Sequence, residues 1–254
     1  MSKPRILFLD IETSPIVSYT WGIFDQNIPL DMIKKDWKIM SIAWQWSDES
    51  KGHVMTQHTA GTFGDDRKLM KKMRQLLNQA HYVCGHNITS FDLKKIKTRM
   101  LLQGLKPPNN VQIIDTLKIA RKHFAFTSNK LEHLAKVLGC KVKKLTIRKF
   151  DGFSLWDECL KNNRAAWDEM AKYNSIDVQV LQEVYSKLMP YHDMSFSAHT
   201  NGLTCTCGNN RFRKDGFRYG SKSVHQQVEC TSCGKKFKVG KNLLPKNHKE
   251  TSIW

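Results

Sequence analysis

Residues 6–11 read ILFLDI, and Glu12 follows them. This short apolar run lies between Pro4 and Pro15, which predicts a buried β-strand. Successive side chains of a strand point to opposite faces, so Asp10 and Glu12 project from the same face. Two neighbouring carboxylates are costly to bury unless a cation neutralises them. We therefore expect either a solvent-facing strand end or a divalent metal site, for which oxygen ligands favour Mg²⁺ or Mn²⁺.

The rest of the first 189 residues alternates short apolar runs with helical periodicity. Strands that come first and then alternate with helices indicate an α/β or α+β domain with a mixed sheet. The opening strands are compatible with consecutive antiparallel pairing. Acidic Asp65 and Asp66 precede one helix, at the end where the helix dipole favours negative charge. The predicted strands are Ile6–Ile11, Ile39–Trp46, His53–Gln57, Tyr82–Gly85 and an extended segment at Ile113 and Ile114; the other predicted helices cover about 91–102, 117–123, 131–138 and 164–188.

A second group of polar residues lies at the junction between the Tyr82–Gly85 strand and the next helix. Asp92 ends the segment GHNITSFD and is either a helix N-cap or a further acidic ligand. Asn87 in the same segment is either a turn residue or a substrate contact. Phe91 is equally compatible with a place in the core. Each of these residues is ambiguous when it is considered by itself.

Tyr173 and Asp177 are four residues apart in the predicted long helix and share one of its faces. A helical tyrosine is more often a core aromatic residue with a hydrated hydroxyl group. Asp177, between Ile176 and Val178, is compatible with an exposed position between core residues. Tyr173 and Asp177 become informative only together with the acidic strand residues and the segment that ends at Asp92.

The three motifs FLDIET (8–13), GHNITSFD (85–92) and YNSID (173–177) occur in one order. In this order they resemble the DEDD exonuclease superfamily, the ribonuclease H-like or DnaQ-like 3′→5′ exonucleases. The tyrosine variant is indicated, because Tyr173 precedes Asp177 by four residues and Lys172 stands where the other variant has histidine. The middle motif is similar to the proofreading domain of family-B DNA polymerases, and a free-standing phage-encoded exonuclease would fit.

The resemblance implies a metal-dependent 3′→5′ exonuclease that releases nucleoside 5′-monophosphates from single-stranded nucleic acid, with DNA favoured over RNA. On the family pattern Asp10, Glu12 and Asp177 hold one Mg²⁺ or Mn²⁺ ion, and Asp10 and Asp92 hold a second. Tyr173 orients the attacking water. Asn87 and Phe91 contact the terminal nucleotide. The implied catalytic residues are therefore Asp10, Glu12, Asp92, Tyr173 and Asp177.

Four of the seven cysteines form two close pairs near the C-terminus. Cys205-x-Cys207 and Cys230-x-x-Cys233 have the spacing of a metal site, and each pair is followed by glycine. They resemble a zinc ribbon with structural Zn²⁺, although the first pair is one residue shorter than usual. His199 or His225 is an alternative ligand. The remaining cysteines, Cys84, Cys140 and Cys159, are interpreted as ordinary buried thiols.

The expected organisation is a ribonuclease H-like nuclease domain over 1–189, a linker over 190–202, a zinc-ribbon-like domain over 203–239 and a basic tail over 240–254. From 202 to 254 there are 11 basic and three acidic residues. Phe212, Phe217, Tyr219 and Phe237 are interleaved with the basic positions, which favours a substrate-holding or partner-docking module. At least half of these aromatic residues are expected to form the small core of the unit itself.

The chain carries 41 basic and 23 acidic residues, a net charge of +18, which favours a polyanionic partner. No apolar stretch has the length of a membrane span, and the first residues do not have the pattern of a signal peptide. We expect a cytoplasmic protein, located in the host cytoplasm if phage-encoded. Two other functions remain open: a nucleic-acid-binding adaptor on the same fold, and a structure-specific nuclease.

Overall fold

The computed structural model describes residues 5–142, 149–192, 203–220 and 223–244. Most of the basic stretch predicted as a loop at 141–149, most of the predicted linker, His199 and the end of the basic tail lie outside these ranges. The chain divides into two compact units, one formed by Arg5–Tyr185 and the other containing the residues from Ser186 onward. Within the described residues, no helix has the length and apolar character that crossing a membrane requires.

The first unit is built on a five-stranded mixed sheet. Its strands are β1 (Ile6–Thr13), β4 (Ile39–Trp46), β5 (His53–Thr56), β6 (Tyr82–Gly85) and β7 (Gln112–Asp115), in the order β5-β4-β1-β6-β7. β1 is central, antiparallel to β4 and parallel to β6. Two short strands, β2 (Val17–Ser18) and β3 (Ile33–Lys35), form a separate pair between β1 and β4 in the chain. The predicted mixed sheet and its antiparallel opening are confirmed.

Helices cover the sheet. Leu7, Leu9 and Ile11 of β1 belong to a buried cluster that includes Leu69, Met73 and Leu77 of one helix and Leu93 and Ile96 of the next. The opposite face of β1 meets the longest helix, where the Phe8 and Tyr185 rings lie 5.1 Å apart edge to face. The helices are α1 (Arg67–Gln79), α2 (Asp92–Leu102), α3 (Thr116–His123), α4 (Leu131–Val137), α5 (Ser154–Leu160) and α6 (Arg164–Leu188). Sequence periodicity did not predict α5.

Asp66 has a different role from the one its position before α1 predicts. Its carboxylate is fully buried and accepts two hydrogen bonds from Arg99 of α2, at 2.7 and 2.9 Å. The backbone N–H of Ile39 donates a third at 3.0 Å. Asp66 therefore ties α2 and the beginning of β4 together, and Asp65 is the residue that accepts from the backbone of α1, at Arg67 N–H.

The second unit contains a three-stranded antiparallel sheet in the order β10-β9-β8. Its strands are β8 (Phe212–Gly220), β9 (Ser223–Cys230) and β10 (Lys236–Val239). The core is small and consists of Cys205, Cys230 and Phe237, with Phe212 and Val228 packed against them. Such a core is too small to stabilise a unit of this size without a further cross-link. A small C-terminal domain with a zinc-ribbon-like cysteine set was predicted, and the structure is compatible with it.

Two of the three isolated cysteines are buried thiols, as interpreted from the sequence. Cys84 and Cys159 are fully buried, and burial raises the pKa of both thiols, that of Cys159 to about 12. Cys140 is only half-buried, because it follows the turn that ends α4 rather than lying in a strand or helix.

Candidate active site

Three carboxylates from distant parts of the chain meet on one face of the central strand. Carboxylate oxygens of Asp10, Glu12 and Asp177 all lie within 4.8 Å of one another. Asp10 and Glu12 are half-buried, and Asp177 is 5% exposed. Three carboxylates at this separation repel one another strongly in a partly desolvated place, and a divalent cation with oxygen ligands relieves that repulsion. The donor set therefore fits Mg²⁺ or Mn²⁺.

The packing of α6 on β1 explains why Asp177 arrives there. Phe8 and Asp10 share a face of β1 because they are two residues apart. Phe8 packs against Tyr185, and Asp177 lies two helical turns before Tyr185 on the same side of α6. The apolar contact at one end of this face therefore sets the position of the acidic residues at the other end.

Asn174 is a residue of the site that the motif analysis did not single out. It is fully buried, and its side-chain amide donates a 2.6 Å hydrogen bond to Asp10 Oδ2. The hydroxyl of Ser41 on β4 donates to Asn174 Oδ1 at 2.8 Å. Ser41 lies opposite Glu12 in the β1–β4 register. The amide therefore has a fixed orientation and holds the Asp10 carboxylate in place.

Asp92 is the first residue of α2 and is 3% exposed. Burial raises its pKa to about 7 and Asp115 adds to the rise, while hydrogen bonds from its own backbone and from that of Ile11 lower it. Ile11 stands between Asp10 and Glu12. β6 pairs with β1 only as far as Phe8, so this side of β1 is open to a side chain from α2. Asp92 is therefore brought to the carboxylate-bearing strand and does not act as a helix N-cap.

The loop between β6 and α2 is held in an uncommon conformation. Asn87 has φ of 66°, in the left-handed region that few residues other than glycine adopt. Asp115 at the end of β7 accepts hydrogen bonds from the backbone N–H groups of Asn87 and Thr89, at 3.1 and 3.2 Å. The same carboxylate accepts from Leu117 N–H at the beginning of α3. Asp115 is a second residue that the motif analysis missed, and it fixes the loop that carries Asn87.

Phe91 is at the surface, not in the core. It is 40% exposed and directly precedes Asp92. Lys95, one turn further along α2, places its Nζ 5.7 Å from the Phe91 ring and 3.6 Å from that of Trp37. An exposed aromatic ring beside a lysine is available for contact with a nucleotide.

Tyr173 lies one helical turn before Asp177 on α6 and is half-buried. Its ring meets that of Trp156 on α5 edge to face, with the centroids 6.2 Å apart. The helix α5, which periodicity did not predict, therefore supports the ring of the tyrosine.

The four cysteines of the second unit also converge. Their sulfur atoms all lie within 4.8 Å of one another, with Cys205 Sγ 3.4 Å from Cys233 Sγ and Cys207 Sγ 3.7 Å from Cys230 Sγ. A tetrahedral ion with Zn–S bonds of about 2.3 Å places its sulfurs about 3.8 Å apart. Cys205 and Cys207, which are separated by one residue instead of two, therefore both reach the cluster. The four sulfur atoms meet without His225.

The surroundings of the cluster act differently on its thiols. Gly208 and Gly234 follow the two cysteine pairs and have φ of 86° and 73°, which turns the backbone back at each pair. Burial opposes ionisation of the Cys230 thiol, but hydrogen bonds from the Asn209 amide and from the backbone at Cys233 and Ser232 outweigh it and lower its pKa to about 6. Burial raises the pKa of Cys205, and it raises that of Cys233 to about 11. A metal ion needs deprotonated thiols, so its positive charge would have to offset this burial at Cys205 and Cys233.

Comparisons with known proteins agree with this fold. A family model described as the RNase H superfamily matches residues 7–189, and the chain belongs to this superfamily. No curated protein matches the chain. Among solved structures, the chain is similar to the family B DNA polymerase from the hyperthermophilic archaeon Pyrobaculum calidifontis, with a TM-score of 0.56 and 17% identity. The match covers 74% of this chain and 25% of the polymerase chain, and at this identity it concerns the fold alone.

Membership of the superfamily indicates a nuclease, and ribonuclease H-like nucleases use divalent metals. This agrees with the carboxylate cluster of Asp10, Glu12 and Asp177 on the matched segment. A nuclease acts on nucleic acid, in keeping with the net charge of +18.

Proposed function

We propose that the protein is a 3′→5′ exonuclease that removes nucleoside 5′-monophosphates from the end of a single strand, with DNA favoured over RNA. The observation that carries the proposal is the meeting of Asp10, Glu12 and Asp177 within 4.8 Å. Asp92, which accepts a hydrogen bond from the backbone of Ile11 on the same strand, would complete the acidic set, although its carboxylate is not one of the three that meet within 4.8 Å.

On the family pattern, the acidic residues would divide into two ligand groups. Asp10, Glu12 and Asp177 would hold one divalent ion, and Asp10 and Asp92 would hold the other. When bound, such a pair supplies charge stabilisation for the attacking and the departing oxygen of an in-line displacement at phosphorus. Asp10 is common to both groups, so its orientation matters most, and the 2.6 Å hydrogen bond from Asn174 maintains that orientation.

Tyr173 would orient the attacking water through its hydroxyl group. A free phenol has a pKa of about 10, so at neutral pH the hydroxyl acts as a hydrogen-bonding group rather than as a strong base. The position one helical turn before Asp177 and the support from Trp156 favour this role. Asn87, whose backbone Asp115 holds, and the exposed Phe91 would contact the terminal nucleotide.

Two observations support the direction of cleavage and the substrate. The motifs around Asp10, Asp92 and Asp177 resemble those of 3′→5′ exonucleases with a catalytic tyrosine. The middle motif, residues 85–92, resembles that of the proofreading domain of family-B DNA polymerases, which supports DNA over RNA. An enzyme that acts on a strand end at a recessed acidic site needs that end unpaired, and fraying a duplex costs a few kcal/mol for each step.

We also propose that Cys205, Cys207, Cys230 and Cys233 bind one structural Zn²⁺ ion. Two observations support this proposal. The sulfur atoms of Cys205 and Cys233 lie 3.4 Å apart, and those of Cys207 and Cys230 lie 3.7 Å apart. The apolar core of this unit is also small. A site closed by four protein ligands has no open position for a substrate, so the ion would stabilise the fold and take no part in cleavage.

Digestion of single-stranded DNA and RNA labelled at the 5′ end, with Mg²⁺ or Mn²⁺, tests the proposal. We expect a ladder of products that shortens from the 3′ end, with mononucleotides released and DNA consumed faster. Asp10→Ala should abolish the ladder. Asp168→Ala removes an exposed carboxylate of the same helix as Asp177 and should retain it.

A circular single strand separates the alternatives. An exonuclease leaves it intact, a structure-specific or other endonuclease cuts it, and a nucleic-acid-binding adaptor binds it without cleavage. Cutting of the circle, or no degradation of the linear strand with either metal, would show that the proposed activity is wrong.

A further inference from the structure

The sheet of the second unit has two different faces. Side chains at Val224, Gln226, Val228 and Cys230 alternate onto one face of β9, and their partners on the neighbouring strands share that face. In the register, Phe212 lies opposite Cys230, and Phe237 lies opposite Val228. This is the face of the small core, and we call it the aromatic face.

Two further aromatic residues continue this face beyond the core. Phe217 lies opposite Gln226, and Tyr219 lies opposite Val224. Phe217 is 49% exposed and Tyr219 is 75% exposed, in contrast to Phe237 at 4%. Phe212 and Phe237 pack against each other with ring centroids 5.7 Å apart. Phe212 and Phe237 therefore contribute to the core, whereas Phe217 and Tyr219 lie on the surface.

A β-bulge places the exposed pair on the aromatic face. Between Lys214 and Phe217 the register advances three residues on β8 but only two on β9. Gly216 lies within the bulge with φ of 72°, a conformation that suits glycine. In a regular strand, Phe217 and Tyr219 would point to the face opposite Phe212. The bulge returns both rings to the face of Phe212, and bulges that re-aim side chains are frequent beside functional sites.

The charge of the unit selects a polyanion as the occupant. The residues described from 203 to 244 include eight lysines and arginines against two acidic residues. Both acidic residues are in ion pairs, Glu229 with Arg213 at 3.0 Å and Asp215 with Lys236 at 2.7 Å. Lys235 is buried and donates to the Thr206 hydroxyl. The exposed basic residues are Arg211, Arg213, Lys214, Arg218, Lys236, Lys238 and Lys241.

We propose that the aromatic face is a binding site for single-stranded nucleic acid, with bases stacked on Phe217 and Tyr219 and a phosphate near Lys214 on the same face. Stacking on exposed rings within a positive surface is a common way to hold a single strand without sequence preference. Lys214 lies on the aromatic face, opposite Val228. Arg218 separates the two rings in sequence and alternates onto the opposite face of the sheet, as do Arg213, Lys236 and Lys238, so that face adds to the positive charge of the unit.

The spacing of the rings favours an unpaired strand. Residues two apart on a strand are about 6.8 Å apart, which is twice the rise of about 3.4 Å for each nucleotide of a stacked strand. Consecutive bases that lie on both rings must be unstacked from each other. A single strand can adopt that arrangement, whereas a duplex must first be opened.

The site extends the proposed function, because it would hold the substrate strand, but binding can be tested without cleavage. Full-length protein with Asp10→Ala is titrated with labelled oligothymidylate, and binding is followed by fluorescence anisotropy. In this background, combined Phe217→Ala and Tyr219→Ala should weaken binding by at least about tenfold. Tyr219→Phe keeps the ring and should bind as the parent does.

Leucine variants, a variant elsewhere in the unit and a duplex ligand separate the effect of stacking from those of folding and of charge. Combined Phe217→Leu and Tyr219→Leu keeps apolar volume without a π-face, and Tyr219→Leu alone changes the more exposed ring; both should bind oligothymidylate more weakly at full zinc content. Leu243→Ala removes an exposed apolar side chain of the same unit and should bind normally. Binding of a DNA duplex, which depends on the basic residues, should change little in all these variants.

Parental affinity for oligothymidylate in the zinc-replete leucine variants would overturn the proposal, and would leave a protein as the occupant of this face. The result does not depend on the nuclease, because the Asp10→Ala protein reports binding alone. With Asp10 intact, the same variants should cleave very short oligonucleotides at the parental rate. Absence of cleavage in the parent would contradict the proposed activity and leave the binding result unaffected.

Discussion

Asn174 donates a 2.6 Å hydrogen bond to Asp10 across a separation of 164 residues in the chain. The bond joins the long helix α6 to the central strand β1, and Ser41 extends it to β4. A buried amide with both ends engaged keeps one orientation. The carboxylate that both proposed metal groups share is therefore held by the body of the fold.

Asn174→Ala should lower nuclease activity by about 10- to 100-fold, because second partners of metal ligands usually have effects of that size. The half-maximal rate should also require a higher Mg²⁺ concentration, since the Asp10 carboxylate loses its orientation and binds the metal more weakly. Steady-state rates at several Mg²⁺ concentrations measure it. Ser41→Ala removes only the hydrogen bond from Ser41 to Asn174 and should lower the nuclease rate by a smaller factor. An Asn174→Ala protein with parental rates would show that the hydrogen bond is purely structural.

Tyr173→Phe removes one hydroxyl group and leaves the ring that packs on Trp156. If the hydroxyl orients the attacking water, kcat should fall by about 100-fold or more while KM changes little. Tyr185→Phe, on the same helix but packed against Phe8, is the matched control and should keep parental kinetics. Equal rates for both variants would exclude a catalytic hydroxyl at Tyr173.

Purified protein should contain one zinc ion for each chain, measured by elemental mass spectrometry. Cys230→Ala should lose the ion and unfold the second unit, because binding and folding are coupled in small zinc domains. Cys140→Ala, a half-buried cysteine outside the cluster, should retain full zinc content. Retention of zinc by Cys230→Ala would place the ion elsewhere.

Asp66→Ala should lower the free energy of unfolding of the first unit by about 3 kcal/mol, since it leaves the largely buried guanidinium of Arg99 and the backbone N–H of Ile39 without their partner. Asp48→Ala removes an exposed carboxylate that is paired with Arg5, and it should cost about 1 kcal/mol or less. Urea denaturation followed by circular dichroism compares the two. Similar midpoints for both variants would contradict the structural role assigned to Asp66.

Local patterns predicted most of the elements around the site. The strand Ile39–Trp46 and the helix Arg164–Leu188 have the predicted bounds, because long apolar runs and helical periodicity reflect burial directly. The short helix α5 was missed, since Ser154–Leu160 is too short to show a period. The strands of the second unit were also not predicted, because its core is small and most of its strand residues are partly exposed.

Motif spacing predicted the acidic residues but not the groups that orient them. Asp10 and Glu12 were recognisable because two carboxylates in a buried strand conflict with burial. The sequence around Asn174 and Asp115 shows no such conflict with burial. Asn174 is an uncharged amide in a helix, and Asp115 is a helix-capping aspartate; both are common in any sequence. Their roles depend on contacts with β1 and with the loop before α2, which only the folded chain brings together.

Binding of Mn²⁺, counted by electron paramagnetic resonance, tests most directly whether the converging carboxylates form a metal site. We predict two Mn²⁺ ions bound to the parent protein in the presence of a single-stranded oligonucleotide. Asp10→Asn and Asp177→Asn should lose at least one of them, and Asp168→Asn should lose none. Unchanged Mn²⁺ stoichiometry and affinity in both Asp10→Asn and Asp177→Asn would contradict the account.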